Sequence, residues 1–239
     1  DFLFDKTYEC PVCYQSLKER TVKTGKARLS RTELNLRPVY EDIEPLKYDV
    51  VVCPHCGYAA LPKYYGHLSP SQIKAVKENI SATFRKNVVW KETYSYEDAL
   101  DRYQLCLANA IVMRAKPSEK AYICLRAGWL AQAMQENMPV DEPDYATKQK
   151  EAKELEREFL KNALEGFIAA RQSESGLICG MDQNTVEYLI AVLAMEFGKY
   201  EVTAKLISNI IVSSSSNERM KERAREVKEI LIEKMKQKK

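Results

Sequence analysis

The sequence predicts an α+β chain, mostly α: a small β module over residues 1–68, then a helical repeat domain over residues 69–239. Two observations predict it. Two C-x2-C pairs sit far apart in the first quarter of the chain, with β-branched runs between them. From Ser69 onward, apolar residues recur at helical spacing between capping residues and Pro- or Ser-containing breaks. A length of 239 residues allows one or two domains, at roughly 100–200 residues each. The 45% hydrophobic content is enough for a core, and the net charge is only +3. That balance excludes a polycationic tail or an acidic disordered chain as a description of the whole. The longest apolar run, Tyr188 to Met195, falls far short of the ~20 residues of a membrane helix. No membrane partner is expected. The opening DFLFDKTYEC shows no basic stretch followed by an apolar one, so no secretory leader is expected. The odd count of 7 Cys argues against a secreted disulfide scaffold. A reducing cytoplasm is expected, where paired C-x2-C points to metal.

The N-terminal module is built on the two pairs. Cys10-Pro11-Val12-Cys13 and Cys53-Pro54-His55-Cys56-Gly57 each read as a knuckle. Pro after the first Cys fixes φ, and Gly57 permits a left-handed turn that aims backbone N–H groups at the thiolates. Four sulfurs suit tetrahedral zinc at about 2.3 Å per bond. One structural Zn2+ on Cys10, Cys13, Cys53 and Cys56 is therefore expected, in a zinc-ribbon-like module. Tyr14 stands where the second knuckle has Gly57, which predicts a less ideal turn. Tyr48 to Val52 reads as a strand leading into the second knuckle, and Val22 to Leu29 and Leu34 to Val39 are weaker strand candidates. So short a module has little core of its own, and metal binding in such a site contributes about 10–16 kcal/mol of apparent folding free energy. The competing reading is a thioredoxin-like redox pair, which would need one motif between a strand and a helix rather than two distant ones. His55 lies inside its knuckle, where side chains point outward, and His67 follows Tyr64-Tyr65-Gly66 at the module junction. Both are weaker ligand candidates.

Between the knuckles, Lys18, Arg20, Lys23, Lys26, Arg28, Arg31 and Arg37 face only Glu19 and Glu33. Lys23, Lys26, Arg28, Arg31 and Arg37 are candidate phosphate contacts. The stretch holds no aromatic residue, and single-strand binders interleave aromatics with cations. A solvated hairpin is the competing reading.

Helices follow in order. Ser69-Pro70-Ser71-Gln72 reads as a capping box with Pro at the first helical position, opening a helix to about Phe84. Ser95 caps the next, to Arg114. Pro117 opens a third, to Asn137. Met138 to Asp144 is an acidic, Pro-containing linker. A long helix runs from Tyr145 to Arg171, and Ser173 to Gly180 is a loop. Asp182 caps a helix to Phe197, Gly198 ends it, and Tyr200 to Val212 forms the next. Ser213 to Ser216 is a loop, and Asn217 caps a terminal helix to Lys239 with an apolar stripe of Met220, Ala224, Val227, Leu231 and Met235.

A repeat lies inside these helices. Ala99-x3-Tyr103-x2-Cys106 recurs as Ala163-x3-Phe167-x2-Ala170 and, more loosely, as Thr203-x3-Ile207-x2-Ile210. The small residue permits close approach of a partner helix. Leu125-x2-Gly128-Trp129 and Ile190-Ala191-x2-Ala194 look like the first helices of two pairs. The pattern resembles the tetratricopeptide repeat (TPR), at irregular spacing, and an unrelated helical bundle is the alternative. Cys106 and Cys124 fall on inward positions and read as small buried hydrophobes. Cys179, in a Gly-flanked loop, has no nearby His in the sequence to make it a nucleophile.

The CPVC knuckle near the start, a basic segment, the YDVVVCPHCGYAAL block and the FGKYEVTAKLISNII segment together resemble the bacterial domain-of-unknown-function 2225 family, over nearly the whole chain. The resemblance implies a zinc-ribbon-like head and a TPR-like body in a cytoplasmic bacterial protein, with the thiolates at Cys10, Cys13, Cys53 and Cys56. It implies no activity.

The expected function is a non-enzymatic interaction or adaptor protein, whose helical body presents a groove to a protein or peptide partner. Arg126, Gln132, Glu187 and Glu196 are candidate groove residues. The alternative is nucleic-acid binding through the basic ribbon. An enzyme is disfavoured: none of H-E-x-x-H, a P-loop, G-x-G-x-x-G or G-x-S-x-G occurs, and only 2 His are present.

Overall fold

The computed structural model describes residues 2–85 and 90–237. Strand β1 (Leu3–Glu9) pairs antiparallel with β2 (Ser16–Val22), Leu3 opposite Val22 and Glu9 opposite Ser16. The first knuckle is the loop of that hairpin. Strand β3 (Leu29–Thr32) pairs with β4 (Pro38–Tyr40), with a register shift between Leu29 and Arg31. Strand β5 (Val51–Val52) pairs with β6 (Ala59–Ala60), and the second knuckle is their loop. The expected strand at Val22 to Leu29 is instead the connection between β2 and β3. Gly25 turns it at φ 75, and Lys26 N–H bonds to the Lys23 carbonyl at 3.1 Å. Leu34 to Val39 holds a tight turn, with Leu36 at φ 66, and only its end joins β4. Tyr48 to Val52 is half strand. Pro45 starts a 3-10 turn over Pro45–Tyr48, capped by Glu44 on the Leu46 N–H, and that turn takes Tyr48 away from the ladder.

The helices are α1 (Pro70–Val76), α2 (Tyr96–Val112), α3 (Pro117–Asn137), α4 (Tyr145–Ser173), α5 (Gln183–Glu196), α6 (Tyr200–Val212) and α7 (Glu218–Gln237). The capping box expected at Ser69 forms with Gln72, and Ser95 makes a second one with Asp98. Asp182 accepts from Thr185 N–H at 2.8 Å, and Asn217 from Met220 N–H at 2.9 Å. Helix α1 stops being α-helical at Val76 and continues as a π turn over Lys77–Ser81, short of the expected Phe84. The last two residues of the expected terminal helix, Lys238 and Lys239, lie outside the described residues.

Each helix from α2 to α7 packs on the next, and α5 also meets α7. Small residues set the closest approaches. A Cβ on Gly128 would lie 2.6 Å from Leu160, and one on Gly166 would lie 2.7 Å from the Ala121 Cβ, so α3 and α4 touch backbone to side chain. The repeat positions Ala99, Tyr103, Cys106, Ala163, Phe167, Ala170, Thr203, Ile207 and Ile210 are all buried. Every residue from Val186 to Met195 is buried too, which makes α5 the central helix and explains its unbroken apolar run.

The β5–β6 ribbon joins the cysteine cluster to these helices. Val51 and Ala60 belong to the apolar cluster around the four cysteines, while Val50, Val52, Ala59 and Leu61 belong to the helical core. Strand alternation sends successive side chains to opposite faces, so two residue pairs serve two cores at once.

Candidate functional site

Cys10, Cys13, Cys53 and Cys56 converge, with all four Sγ atoms within 4.8 Å of one another. Cys10 Sγ is 3.5 Å from Cys56 Sγ, and Cys13 Sγ is 3.5 Å from Cys53 Sγ. Sulfurs at about 2.3 Å from a shared centre span tetrahedral edges of about 3.8 Å, so the cluster fits one tetrahedral ion. The two knuckles repeat one backbone design. Tyr14 N–H bonds to the Cys10 carbonyl at 2.8 Å, and Gly57 N–H to the Cys53 carbonyl at 3.0 Å. Cys10 N–H bonds to the Gln15 carbonyl at 3.0 Å, and Cys53 N–H to the Tyr58 carbonyl at 2.8 Å. Tyr14 and Gly57 both take positive φ, 59 and 76. Hydrogen bonds from Cys53 and Cys56 pull Cys10 down to about 2, while the contact with Cys10 pushes Cys53 up to about 12 and Cys56 up as well. A divalent cation supplies the charge that four thiolates need. His55 and His67 are both exposed and stand outside the cluster.

Behind the cluster lies a buried ion pair that sequence reading missed. Glu19, on β2, accepts from Val52 N–H at 3.1 Å, from the Tyr94 hydroxyl at 2.6 Å and from Arg102 of α2. Arg102 also donates to the Val50 carbonyl at 2.8 Å. Glu19 thus ties the strand after the first knuckle to the strand before the second, and both to α2. Its only sequence signal was an acid among bases. Asn109 of α2 adds a bond to the Gly57 carbonyl at 3.0 Å.

The basic segment is largely engaged within the protein. Arg28 pairs with Glu41 at 3.0 Å and Arg31 with Glu33 at 2.8 Å. Arg37 is 1% exposed and holds both carboxylate oxygens of Glu136 at 2.5 and 2.6 Å, so it is not a surface phosphate contact. Lys23 is half-buried and Lys26 exposed.

The four expected groove residues do not share one open surface. Arg126 pairs with Asp49 of the head and stacks near Tyr122. Gln132 accepts from Asn35 at 3.3 Å. Glu187 is buried against Gln183 and Arg171, and Glu196 is exposed at the end of α5. What gathers α3, α5 and α7 is the β3–β4 turn at residues 33–37. Arg223 of α7 donates to the Glu33 carbonyl at 3.4 Å and Tyr188 of α5 to the Leu34 carbonyl at 2.9 Å, while Asn35 and Arg37 engage Gln132 and Glu136 of α3. Alternate helices present one face, and that face grips this turn.

Of the remaining thiols, Cys106 and Cys124 are buried as expected, and burial pushes the Cys124 thiol up to about 12. Cys179 is half-buried, accepts from the Tyr64 hydroxyl at 3.5 Å, and is likewise pushed up by burial. No helix among the described residues is long and apolar enough to cross a membrane.

The chain is similar to an uncharacterized protein of Borreliella burgdorferi (strain ATCC 35210 / DSM 4680 / CIP 102532 / B31), at 23% identity over 59% of this chain and 56% of the relative. It therefore spans little more than half the length of that relative. No solved structure matches it. The family model described as "Uncharacterized protein conserved in bacteria (DUF2225)" matches residues 3–231, both knuckles and all but the last turns of α7 included, and the chain belongs to that family.

Proposed function

We propose that the protein is a non-enzymatic, cytoplasmic adaptor whose head is held by one structural zinc ion and whose TPR-like body binds a protein or peptide segment. The division into a head, residues 1–68, and a body, residues 69–239, is part of this proposal. Cys10, Cys13, Cys53 and Cys56 would hold the ion and leave no open coordination position, which suits a structural and not a catalytic role. Four thiolates and no carboxylate favour zinc over hard cations.

The observation that carries the adaptor reading is the face formed by α3, α5 and α7. Tyr188 and Arg223 donate to successive backbone carbonyls of an irregular segment, Glu33 and Leu34. Hydrogen bonds to main-chain carbonyls hold a segment largely independently of its side chains, which suits a face that takes peptides. The paired state of Arg28 and Arg31 and the burial of Arg37 make nucleic-acid binding through the ribbon the weaker reading.

Two measurements test this. Elemental analysis of protein purified without added metal is expected to give one zinc per chain, and iron or no metal would overturn the metal assignment. Affinity capture with the Tyr188→Phe and Arg223→Ala variants beside the wild type is expected to lose specific partners. Identical partner sets from all three would remove the face from the adaptor reading.

A further inference from the structure

We infer that the turn at residues 33–37 fills a peptide groove in cis, and that the groove's partner is a protein segment of the same chemistry: an arginine two residues after an amide side chain, with apolar neighbours. This deepens the peptide-binding reading above and rests on it.

The groove is specified residue by residue. Tyr188 and Arg223 read two backbone carbonyls and so accept many sequences. Gln132 accepts from an amide side chain at 3.3 Å. Glu136 takes a guanidinium through both of its oxygens. The last contact runs from the single nitrogen Arg37 Nη2 to both oxygens; it is charge-assisted, so it sets the preference for a cationic side chain such as arginine at this place.

The resident turn is an imperfect occupant. Leu36 sits at φ 66, a left-handed conformation that costs a bulky residue about 1–2 kcal/mol. The Arg37 Nε is buried with no hydrogen-bond partner. A segment in trans that avoids either fault competes with it. Space for entry lies beside the turn: a cleft of about 790 Å3 has Arg37, Tyr40, Tyr96 and Glu136 in its walls. The turn also lies between two ordered strands, β3 and β4, and neither of them carries a knuckle.

The test uses the full chain and a labelled peptide copying residues 29–40, followed by fluorescence anisotropy. Arg37→Ala weakens the resident occupant, and this variant is expected to bind the peptide at least tenfold more tightly than the wild type. Adding Glu136→Ala, or replacing the arginine equivalent to Arg37 in the peptide by alanine, is expected to cost at least tenfold. Equal binding by wild type and Arg37→Ala, or indifference to Glu136, would overturn the inference. A groove that takes unrelated peptides but not this one would also overturn it while leaving the adaptor reading standing. Binding of no peptide at all would remove both. Should Arg37→Ala fail to fold, hydrogen exchange on the wild type with excess peptide gives the answer. Loss of protection at residues 29–40 supports displacement, and unchanged protection at saturating peptide opposes it. A concentration-dependent wild-type dimer would replace the foreign partner by a second copy of the chain.

Discussion

The two knuckles share a backbone and differ in everything around it. The first ends in Tyr14, which is 64% exposed. The second ends in Gly57, where an added Cβ would lie 2.6 Å from the Phe84 ring. Both positions need positive φ, but only the second is also crowded. A left-handed tyrosine costs about 1–2 kcal/mol and touches nothing it must avoid. A side chain at Gly57 would meet that strain and a clash together. A departure from the usual glycine is therefore tolerable in the outer knuckle and not in the inner one, and the inner knuckle is the one anchored to α2 through Asn109.

The comparison can be pressed at five strengths. Cys56→Ser removes one of the four clustered thiols, and under the proposed zinc site it should abolish stoichiometric metal and unfold residues 1–68, since the binding energy of such a site is about 10–16 kcal/mol. Metal analysis together with near-UV circular dichroism reads both effects, and retained metal would contradict the four-sulfur site. Glu19→Gln removes the charge that both knuckle arms share. It should cost about 3–5 kcal/mol in urea unfolding, because Arg102 is left buried without its partner. Gly57→Ala should cost about 2–4 kcal/mol from overpacking and strain combined. Asn109→Ala leaves the Gly57 carbonyl without its donor and should cost about 1–3 kcal/mol. Tyr14→Gly should stabilise by at most about 1 kcal/mol, as relief of left-handed strain is partly offset by a looser unfolded chain. If Tyr14→Gly were as damaging as Gly57→Ala, the distinction between outer and inner knuckle would fail.

The four cysteines that cluster were plain in the sequence, because cysteine spacing is a local signal. Capping residues were equally plain, and Ser69, Ser95, Asp182 and Asn217 each sit where their helix begins. The strands were poorly legible. In β1 the residues Leu3 to Glu9 are mostly exposed, so no apolar alternation marks them. The β5–β6 ribbon is buried on both faces and reads as a continuous apolar run, which hid its short length. Least legible were the partners of charged residues. Glu19 and Arg37 read as parts of a solvated basic segment, and each is buried against a residue at least 83 positions away along the chain, Arg102 and Glu136. Composition counts charges but cannot pair them.

The bond between Arg223 and the Glu33 carbonyl spans 190 residues of chain. At a synthesis rate of about 5–20 residues per second, the turn leaves the ribosome about 10–40 s before its final partner exists. During that interval the knuckles can already close on a metal, while the hairpin tip meets α3 and α5 as they emerge and still lacks α7. A newborn chain therefore passes through a window in which the turn is complete and the surface that grips it is not.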